Sequence, residues 1–298
     1  MLVTQNIRIG RILKDTWKVD IIMIITCTVV YALHNFFIRE HLSIPLIIPT
    51  VLGTAIAFFI GFNNNQAYDR WWEARKIWGA LVNDSRSWAR DVLCYVDNDN
   101  NSSIKKKMIR RHIAFLYSLK STLRNLEDST AQSYLSKEDF KTISKSSNKH
   151  NAILSLQSQD LEKLRKNNLI DGFVFIQMDA MLVRFSDSMG MAERIKNTVF
   201  PTTYSYLTKV FIWLFVVAIT FVTTEVMGFW AIFFSWMVGF VFVSTQINGM
   251  NLVNPFENKS TGIPLNQITR TIEINLLQML GEENIPAAIT PVNGEYVL

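Results

Sequence analysis

Charged residues are scarce in this sequence, and their scarcity is local. They make up 18% of the 298 residues, whereas soluble domains carry roughly 25%. No Asp, Glu, Lys or Arg occurs in 21–38 or 42–67, and Glu225 is the only one in 210–256. Each segment is near or above the roughly 18 to 20 apolar residues that cross a bilayer as a helix, and the third is long enough for two crossings. The sequence therefore predicts an all-α membrane protein with four transmembrane helices, at 21–38, 44–62, 206–224 and 227–247.

Cysteine is also nearly absent, which excludes a disulfide framework. Cys27 lies inside the first predicted span and Cys94 lies far from it. The four histidines have no metal-ligand spacing, and we find no Ser/His/Asp set, glycine-rich phosphate loop or paired carboxylate cluster. The sequence therefore predicts a protein that is not an enzyme and that has no metal site and no cofactor.

Basic residues are clustered between 105 and 111, but this cluster does not indicate a nucleic-acid binding site. The cluster consists of Lys105, Lys106, Lys107, Arg110 and Arg111. A solvated helix face or a phospholipid contact explains this spacing better than nucleic-acid binding does, and we predict no nucleic-acid partner.

Basic residues beside the spans predict the orientation of the chain. They precede span one, follow span two and precede span three, whereas the two short connections at 39–43 and 225–226 carry only Arg39. The positive-inside rule therefore places both termini, a long insert (63–204) and a tail (248–298) in the cytoplasm. No small-residue cleavage site follows the first span, so we expect no removable signal. The insert has mostly helical spacing, with a long helix from about 157 to 196 that is interrupted near Asn167.

The second span carries the most informative pattern, in AIAFFIGFNNNQAYDRWWEARKIWG (55–79). Thr54, Phe58 and Phe62 lie four residues apart and share one helix face. That face either contacts lipid or the bundle core, or it lines a pore in which apolar rings gate by dewetting. The polar candidates that follow are Asn63, Asn64, Asn65 and Gln66. The aromatic and basic residues after them are typical of an interfacial anchor, with candidates Arg70, Trp71 and Trp72.

Three stretches resemble the bestrophin family of ion channels, in its bacterial branch. They are IPTVLGTAIAFFIGFNNNQAYDRWWEARKIWG (48–79), ERIKNTVFPTTYSYLTK (193–209) and NPFE (254–257), in the family's order. The resemblance implies that 1–298 is a single bestrophin-type unit in a bacterial plasma (inner) membrane. It also implies a homopentamer with a central pore, four spans per subunit and a helical cytosolic vestibule.

The resemblance also implies which residues line the ion path. The family's apolar neck falls on Thr54, Phe58 and Phe62, although Thr54 departs from the usual aliphatic residue and is not expected to constrict. A second, cytosolic constriction falls on Phe173, with Ile170 or Val174 if the register differs. Asn63 to Gln66 would line the vestibule and rehydrate the ion.

The calcium clasp of animal bestrophins is incomplete in this sequence. Asn254, Pro255 and Phe256 match it, but Glu257 stands where the family has glycine, and the acidic run is missing. One carboxylate cannot supply the six to eight oxygens that calcium takes. We therefore predict no calcium clasp.

The leading functional hypothesis is a channel for passive flux of monovalent ions, with membrane lipid and its own copies as partners. The alternatives are a secondary transporter and a membrane-anchored signalling or scaffold protein. Because the spans are free of charged residues except near their ends, coupled transport is disfavoured.

Evidence on the sign of the ion conflicts. The positive edges of phenylalanine rings and the 22 basic against 16 acidic residues of the insert favour anions. Four carboxylates along the path could attract cations, namely Asp69, Glu73, Asp171 and Asp179. The balance leans slightly to monovalent anions.

Overall fold

The computed structural model describes residues 9–38, 44–96, 102–127 and 129–298. Every regular element in these ranges is helical, apart from one isolated bridge between Val292 and Tyr296. The α-helices are α1 (Ile9–Leu33), α2 (Ile47–Tyr95), α3 (Ser102–Arg124), α4 (Lys137–Ile143), α5 (Lys149–Lys166), α6 (Gly172–Asn197), α7 (Thr202–Met227), α8 (Trp230–Met250) and α9 (Leu265–Met279). α1, α2, α7 and α8 contain segments long and apolar enough to cross a membrane, which confirms the predicted all-α membrane fold.

The described chain divides into two compact units. The span unit comprises 9–71 and 199–253, and the polar unit comprises 72–198 and 254–298, within the ranges given above. α2 contributes its first half to the span unit and its second half to the polar unit.

The core of the span unit is apolar and tightly packed. Met23 of α1, Ile56 of α2 and Val216 of α7 are almost fully buried together. Gly239 of α8 allows this approach, because an added Cβ would lie 2.4 Å from the Met23 sulfur. Small residues at such crossings bring helix backbones together where lipid supplies no hydrophobic driving force.

Several helix ends differ from the predicted span limits. α2 begins at Ile47 rather than at 44, with Pro49 in its first turn, where a helix needs no amide donor. It then continues without a break to Tyr95. The turn between α7 and α8 lies at Gly228 and Phe229 rather than at 225–226, because Gly228 adopts φ +57°, which glycine tolerates best. The connection predicted at 39–43 lies outside the described residues.

α3 is the central helix of the polar unit, and every side chain from Arg111 to Lys120 is buried. Arg111 donates to Asp139 at 2.6 and 2.8 Å and also bonds Asp160, all three being buried. Lys105 is buried too and donates to the Leu93 carbonyl oxygen at 3.0 Å. The prediction of a solvated basic face is therefore wrong for Arg111 and Lys105, because buried acceptors hold their charges. Lys106 and Lys107 do remain exposed.

A buried histidine packs on the same helix. The His112 ring lies 4.4 Å from the Phe185 ring, centroid to centroid, and its Nε2 is 2.8 Å from the Ser85 hydroxyl oxygen. Burial lowers the pKa of His112 to about 3, because the surrounding apolar groups do not solvate an imidazolium. His112 is therefore neutral at physiological pH.

The long helix expected from about 157 to 196 is two helices with a break where the sequence predicted it. α5 ends at Lys166, and Asn168 adopts φ +56°. The Asp171 side chain then accepts from the Val174 amide at 2.7 Å and caps the start of α6. Phe173 therefore lies in the first turn of α6.

Candidate functional site

The predicted neck residues lie on an open face of α2. In the subunit, 72% of Phe58 and 48% of Phe62 are exposed, and Thr54 is exposed above them. The Thr54 hydroxyl donates to the Thr50 carbonyl oxygen at 3.0 Å, so its polar group is already satisfied. The opposite face carries Ile56 and Ile60, which are buried in the span unit. The two faces thus have different roles, one in packing and one available to other molecules.

A small residue precedes each aromatic side chain on this open face. Ala57 and Gly61 are both exposed, and no atom lies within 4 Å of a Cβ added at Gly61. Small residues allow another helix to approach closely in a membrane.

The four polar residues after the neck do not share one environment. The Asn63 amide group is buried and donates to the Thr208 hydroxyl oxygen at 3.3 Å. Asn64 donates to the Thr245 carbonyl oxygen at 3.2 Å, and a Cβ at Gly249 would lie 1.7 Å from its Oδ1. These two side chains bind α2 to α7 and α8, so they do not face the open side.

Asn65 and Gln66 are the exposed members of this polar group. They continue the open face of α2 directly after Phe62 and remain candidates for contact with ions.

The aromatic and basic residues that follow pack against one another. The Tyr68 and Trp71 rings are stacked with centroids 6.2 Å apart, and Trp72 is 47% exposed. Arg70 and Trp71 are half-buried. Their assignment as an interfacial anchor stays a prediction.

Two of the four carboxylates that could attract cations have structural partners. Glu73 accepts from Arg194 at 3.0 Å, and Asp171 caps α6. Asp69 is exposed and Asp179 is half-buried. Arg194 therefore compensates the charge of Glu73, whereas the cap leaves Asp171 charged.

Among the three residues considered for the cytosolic constriction, only Phe173 is fully open. It is 86% exposed, whereas Ile170 is 5% exposed and Val174 is half-buried. Ile176, one turn later on the same face, is also exposed. Sequence reasoning missed Ile176, although its spacing of three residues from Phe173 indicates a shared face.

The loop that aligns with the animal calcium clasp is held by cationic side chains of the chain itself. The Glu257 carboxylate accepts from Asn254 at 3.0 Å and lies 2.5 Å from the Lys259 ammonium. Arg124 donates to the Phe256 and Ile263 carbonyl oxygens at 3.2 and 3.3 Å. The Glu257 carboxylate and the Phe256 and Ile263 carbonyl oxygens of this loop therefore already have partners.

Comparison with known proteins assigns the chain to a family. The family described as bacterial/fungal bestrophin protein matches residues 2–278. The voltage-dependent anion channel-forming protein YneE of Escherichia coli (strain K12) is 33% identical over 254 residues, covering 84% of this chain and 83% of that protein. The voltage-dependent anion channel-forming protein RSc3414 of Ralstonia nicotianae is 27% identical over 239 residues, covering 79% and 78%.

The fold is similar to that of a solved bestrophin. A crystal structure of a bacterial bestrophin homolog from Klebsiella pneumoniae superposes with a TM-score of 0.83 at 25% identity, covering 89% of this chain and 98% of that one. The sequence motifs, the four apolar helices and these matches agree, and the chain belongs to the bestrophin family, in its bacterial and fungal branch.

Proposed function

We propose that this chain is the pore-forming subunit of a channel for passive flux of monovalent ions, with a preference for anions. The observation that carries the proposal is the open face of α2, where Thr54, Phe58 and Phe62 are exposed in register while the opposite face is packed. Exposed phenylalanines, each preceded by a small residue (Ala57 and Gly61), suit a helix that surrounds an axis with its own copies.

Five copies form the channel in this proposal. The family resemblance supports that number, and the open face of α2 offers the surface that would line the axis. Native mass spectrometry in mild detergent should show a pentamer. A monomer or dimer as the sole species would contradict the pore.

Phe58 and Phe62 would form the narrowest, apolar part of the pore. Apolar rings hold ions back because a narrow hydrophobic passage loses its water. Asn65 and Gln66 would then offer polar groups to the ion as it rehydrates. Phe173 would form a second constriction on the cytoplasmic side.

Three observations favour anions. The 63–204 segment has a surplus of six basic residues, and Arg194 compensates Glu73. YneE and RSc3414 are both named as anion channel-forming proteins.

The proposed location is the inner membrane of a bacterium, with both termini and the polar unit in the cytoplasm. This orientation rests on the basic residues that flank the spans. Nothing in the proposal requires catalysis, a nucleic acid or a cofactor.

Currents through purified protein in a planar bilayer test the proposal. We expect stepwise single-channel currents whose reversal potential, under a sodium chloride gradient, shifts toward the chloride equilibrium potential. A shift toward the sodium equilibrium potential would reject the anion preference, and transport coupled to a second solute would reject the channel.

Calcium should not control this channel. The Glu257 carboxylate is held by Lys259 and Asn254, and the sequence lacks the acidic run that would complete a calcium site. Open probability should be equal in micromolar calcium and in chelator. A reproducible calcium response would show that ligands come from elsewhere.

A further inference from the structure

A cavity of about 380 Å³ opens in the polar unit beside the C-terminal half of α3. Its walls come from α3, from the segment after it, from α9 and from the C-terminal tail, which contributes Ile289. Ligand pockets for small molecules begin at about 300 Å³. The cavity is therefore large enough for a small organic molecule.

The charged side chains at this cavity are mostly cationic. Lys120, Arg124 and Arg270 line it, with Glu127 as the acidic member of the lining. Lys120 is buried, and its ammonium lies 4.6 Å from the centroid of the Tyr117 ring, another part of the wall.

Arg124 is a buried cation whose hydrogen bonds to the described residues all go to neutral acceptors. It is 9% exposed, and it donates to the Phe256 and Ile263 carbonyl oxygens and to Asn258 Oδ1. Burial lowers the pKa of Arg124 to about 10, with no carboxylate opposing the shift, so the group stays charged at physiological pH. A buried charge without an opposite charge is costly, and a negative group in the cavity would reduce that cost.

Arg270, in the same wall of the cavity, has a guanidinium N–H group without a hydrogen-bond partner among the residues that the structure describes. Its Nη1 lies 3.1 Å from Glu273 Oε2, but its Nε is buried without a hydrogen-bond partner. The Glu273 carboxylate also accepts from the Tyr117 hydroxyl at 2.6 Å and from the Tyr134 hydroxyl. Three donors therefore share that carboxylate, and Arg270 is the cationic one among them.

We propose that this cavity binds a small organic anion through a carboxylate or phosphate group placed between Lys120, Arg124 and Arg270. Guanidinium groups form strong charge-assisted bonds with both groups. Ser121, Thr130 and Asn266 supply neutral polar contacts for the body of the ligand, and Leu126 and Ile289 supply apolar ones.

The site also connects to the 254–263 loop. Arg124 lines the cavity and holds that loop through Phe256 and Ile263. An anion bound beside Arg124 would contact the side chain that holds this loop. Because such a ligand binds the folded protein and not the unfolded chain, binding should raise the unfolding temperature by mass action.

Isothermal titration calorimetry on the purified full-length protein in detergent tests the site, with inorganic phosphate and citrate as probes in a chloride buffer of constant ionic strength. We expect saturable binding of at least one probe and a matching rise in unfolding temperature. Both readouts are independent of channel activity, so the proposed channel function can fail without affecting this result.

Two charge-removing variants at the site and two controls decide the location. Arg270→Gln and Lys120→Gln should each weaken binding about tenfold or more, and Lys120→Arg should retain it. Arg165→Gln removes the same charge from an exposed position paired with Glu162 and should bind as the parent does. Absence of saturable binding of both probes, or equal binding by the parent, Arg270→Gln and Lys120→Gln, overturns the proposal. If Arg270→Gln does not fold, the comparison of Lys120→Gln with Lys120→Arg gives the same decision.

Discussion

At the scale of a single residue, two adjacent phenylalanines show that the position of a side chain around the helix axis decides whether it is exposed or packed. The Phe58 and Phe59 rings lie 6.2 Å apart, but Phe58 is exposed, whereas Phe59 is half-buried and lies 6.1 Å from the Phe211 ring of α7. One residue of rotation about the helix axis separates an open surface from the packed interior. The same substitution at the two positions should therefore have different effects.

The first prediction uses this pair. Phe58→Ala and Phe62→Ala should widen an apolar constriction and ease its wetting, raising conductance or open probability about twofold or more. Phe59→Ala, as the matched control, should lower the unfolding temperature and leave conductance near that of the parent. Single-channel recording measures conductance and open probability, and thermal unfolding measures the unfolding temperature. Parent-like conductance in the Phe58/Phe62 double variant would show that this face does not limit permeation.

The second prediction concerns Phe173 and its neighbour Phe175. Phe173 is exposed, whereas the Phe175 ring centroid lies 5.6 Å from the Arg165 guanidinium carbon. Phe173→Ala should change ion selectivity or the size cutoff, because it removes a bulky side chain from the proposed path. Permeability ratios for chloride and larger anions would measure this. An equal change in Phe175→Ala would mean that the effect comes from the helix and not from a constriction.

At the scale of elements, α3 concentrates polar groups that the polar unit buries. The ion pairs of Arg111 and the neutral His112 are adjacent in sequence, yet they point to different neighbours. Arg111 bonds acidic residues of α4 and α5, whereas His112 packs on Phe185 of α6. α3 therefore joins several helices through chemically different contacts.

The third prediction is a pH dependence that arises from this helix. The unfolded chain should protonate His112 near its ordinary pKa of about 6.5, whereas the pKa of the buried ring is about 3. Below about pH 6.5 the unfolded state binds more protons, so stability is complete above that pH and falls as the pH approaches 3. The loss should approach about 1.4 kcal/mol per pH unit.

Thermal unfolding followed by tryptophan fluorescence at two pH values, neutral and mildly acidic, measures the effect. His112→Phe should show a smaller loss of unfolding temperature on acidification than the parent, because it removes the titrating ring. The Ser85 hydroxyl keeps its bond to the Leu81 carbonyl in that variant. An equal loss in both proteins would assign the pH dependence to other groups.

At the scale of the whole molecule, the two cysteines report the orientation in the membrane. Cys94 is exposed near the end of α2, whereas Cys27 is buried in the core of the span unit. The fourth prediction is that an impermeant thiol reagent labels Cys94 in inside-out vesicles and not in intact cells, because the proposed topology places the polar unit in the cytoplasm. Cys94→Ser should abolish the signal, since Cys27 is protected. Labelling of Cys94 in intact cells would reverse the proposed topology.

The sequence alone determined the properties that depend on one local segment, such as its hydropathy, its helical spacing and its helix breaks. Three charge-poor segments, the third long enough for two crossings, predicted four spans, because a helix crosses the bilayer by its length and mean hydropathy alone. The four-residue spacing of Thr54, Phe58 and Phe62 predicted their shared face, and that face is open in the structure. The break near Asn167 could be predicted because asparagine readily takes the left-handed conformation, as Asn168 does in the structure.

The partners of individual polar side chains were decided only by the tertiary structure. Asn63 and Asn64 look equivalent to Asn65 in sequence, but they bond α7 and α8 at separations of 145 and 181 residues. Arg111 belongs to a basic cluster in sequence, but Asp139 and Asp160 neutralise it inside the polar unit. Hydropathy and helical spacing describe one segment at a time, whereas the environment of a polar group depends on whichever distant residues the fold brings beside it.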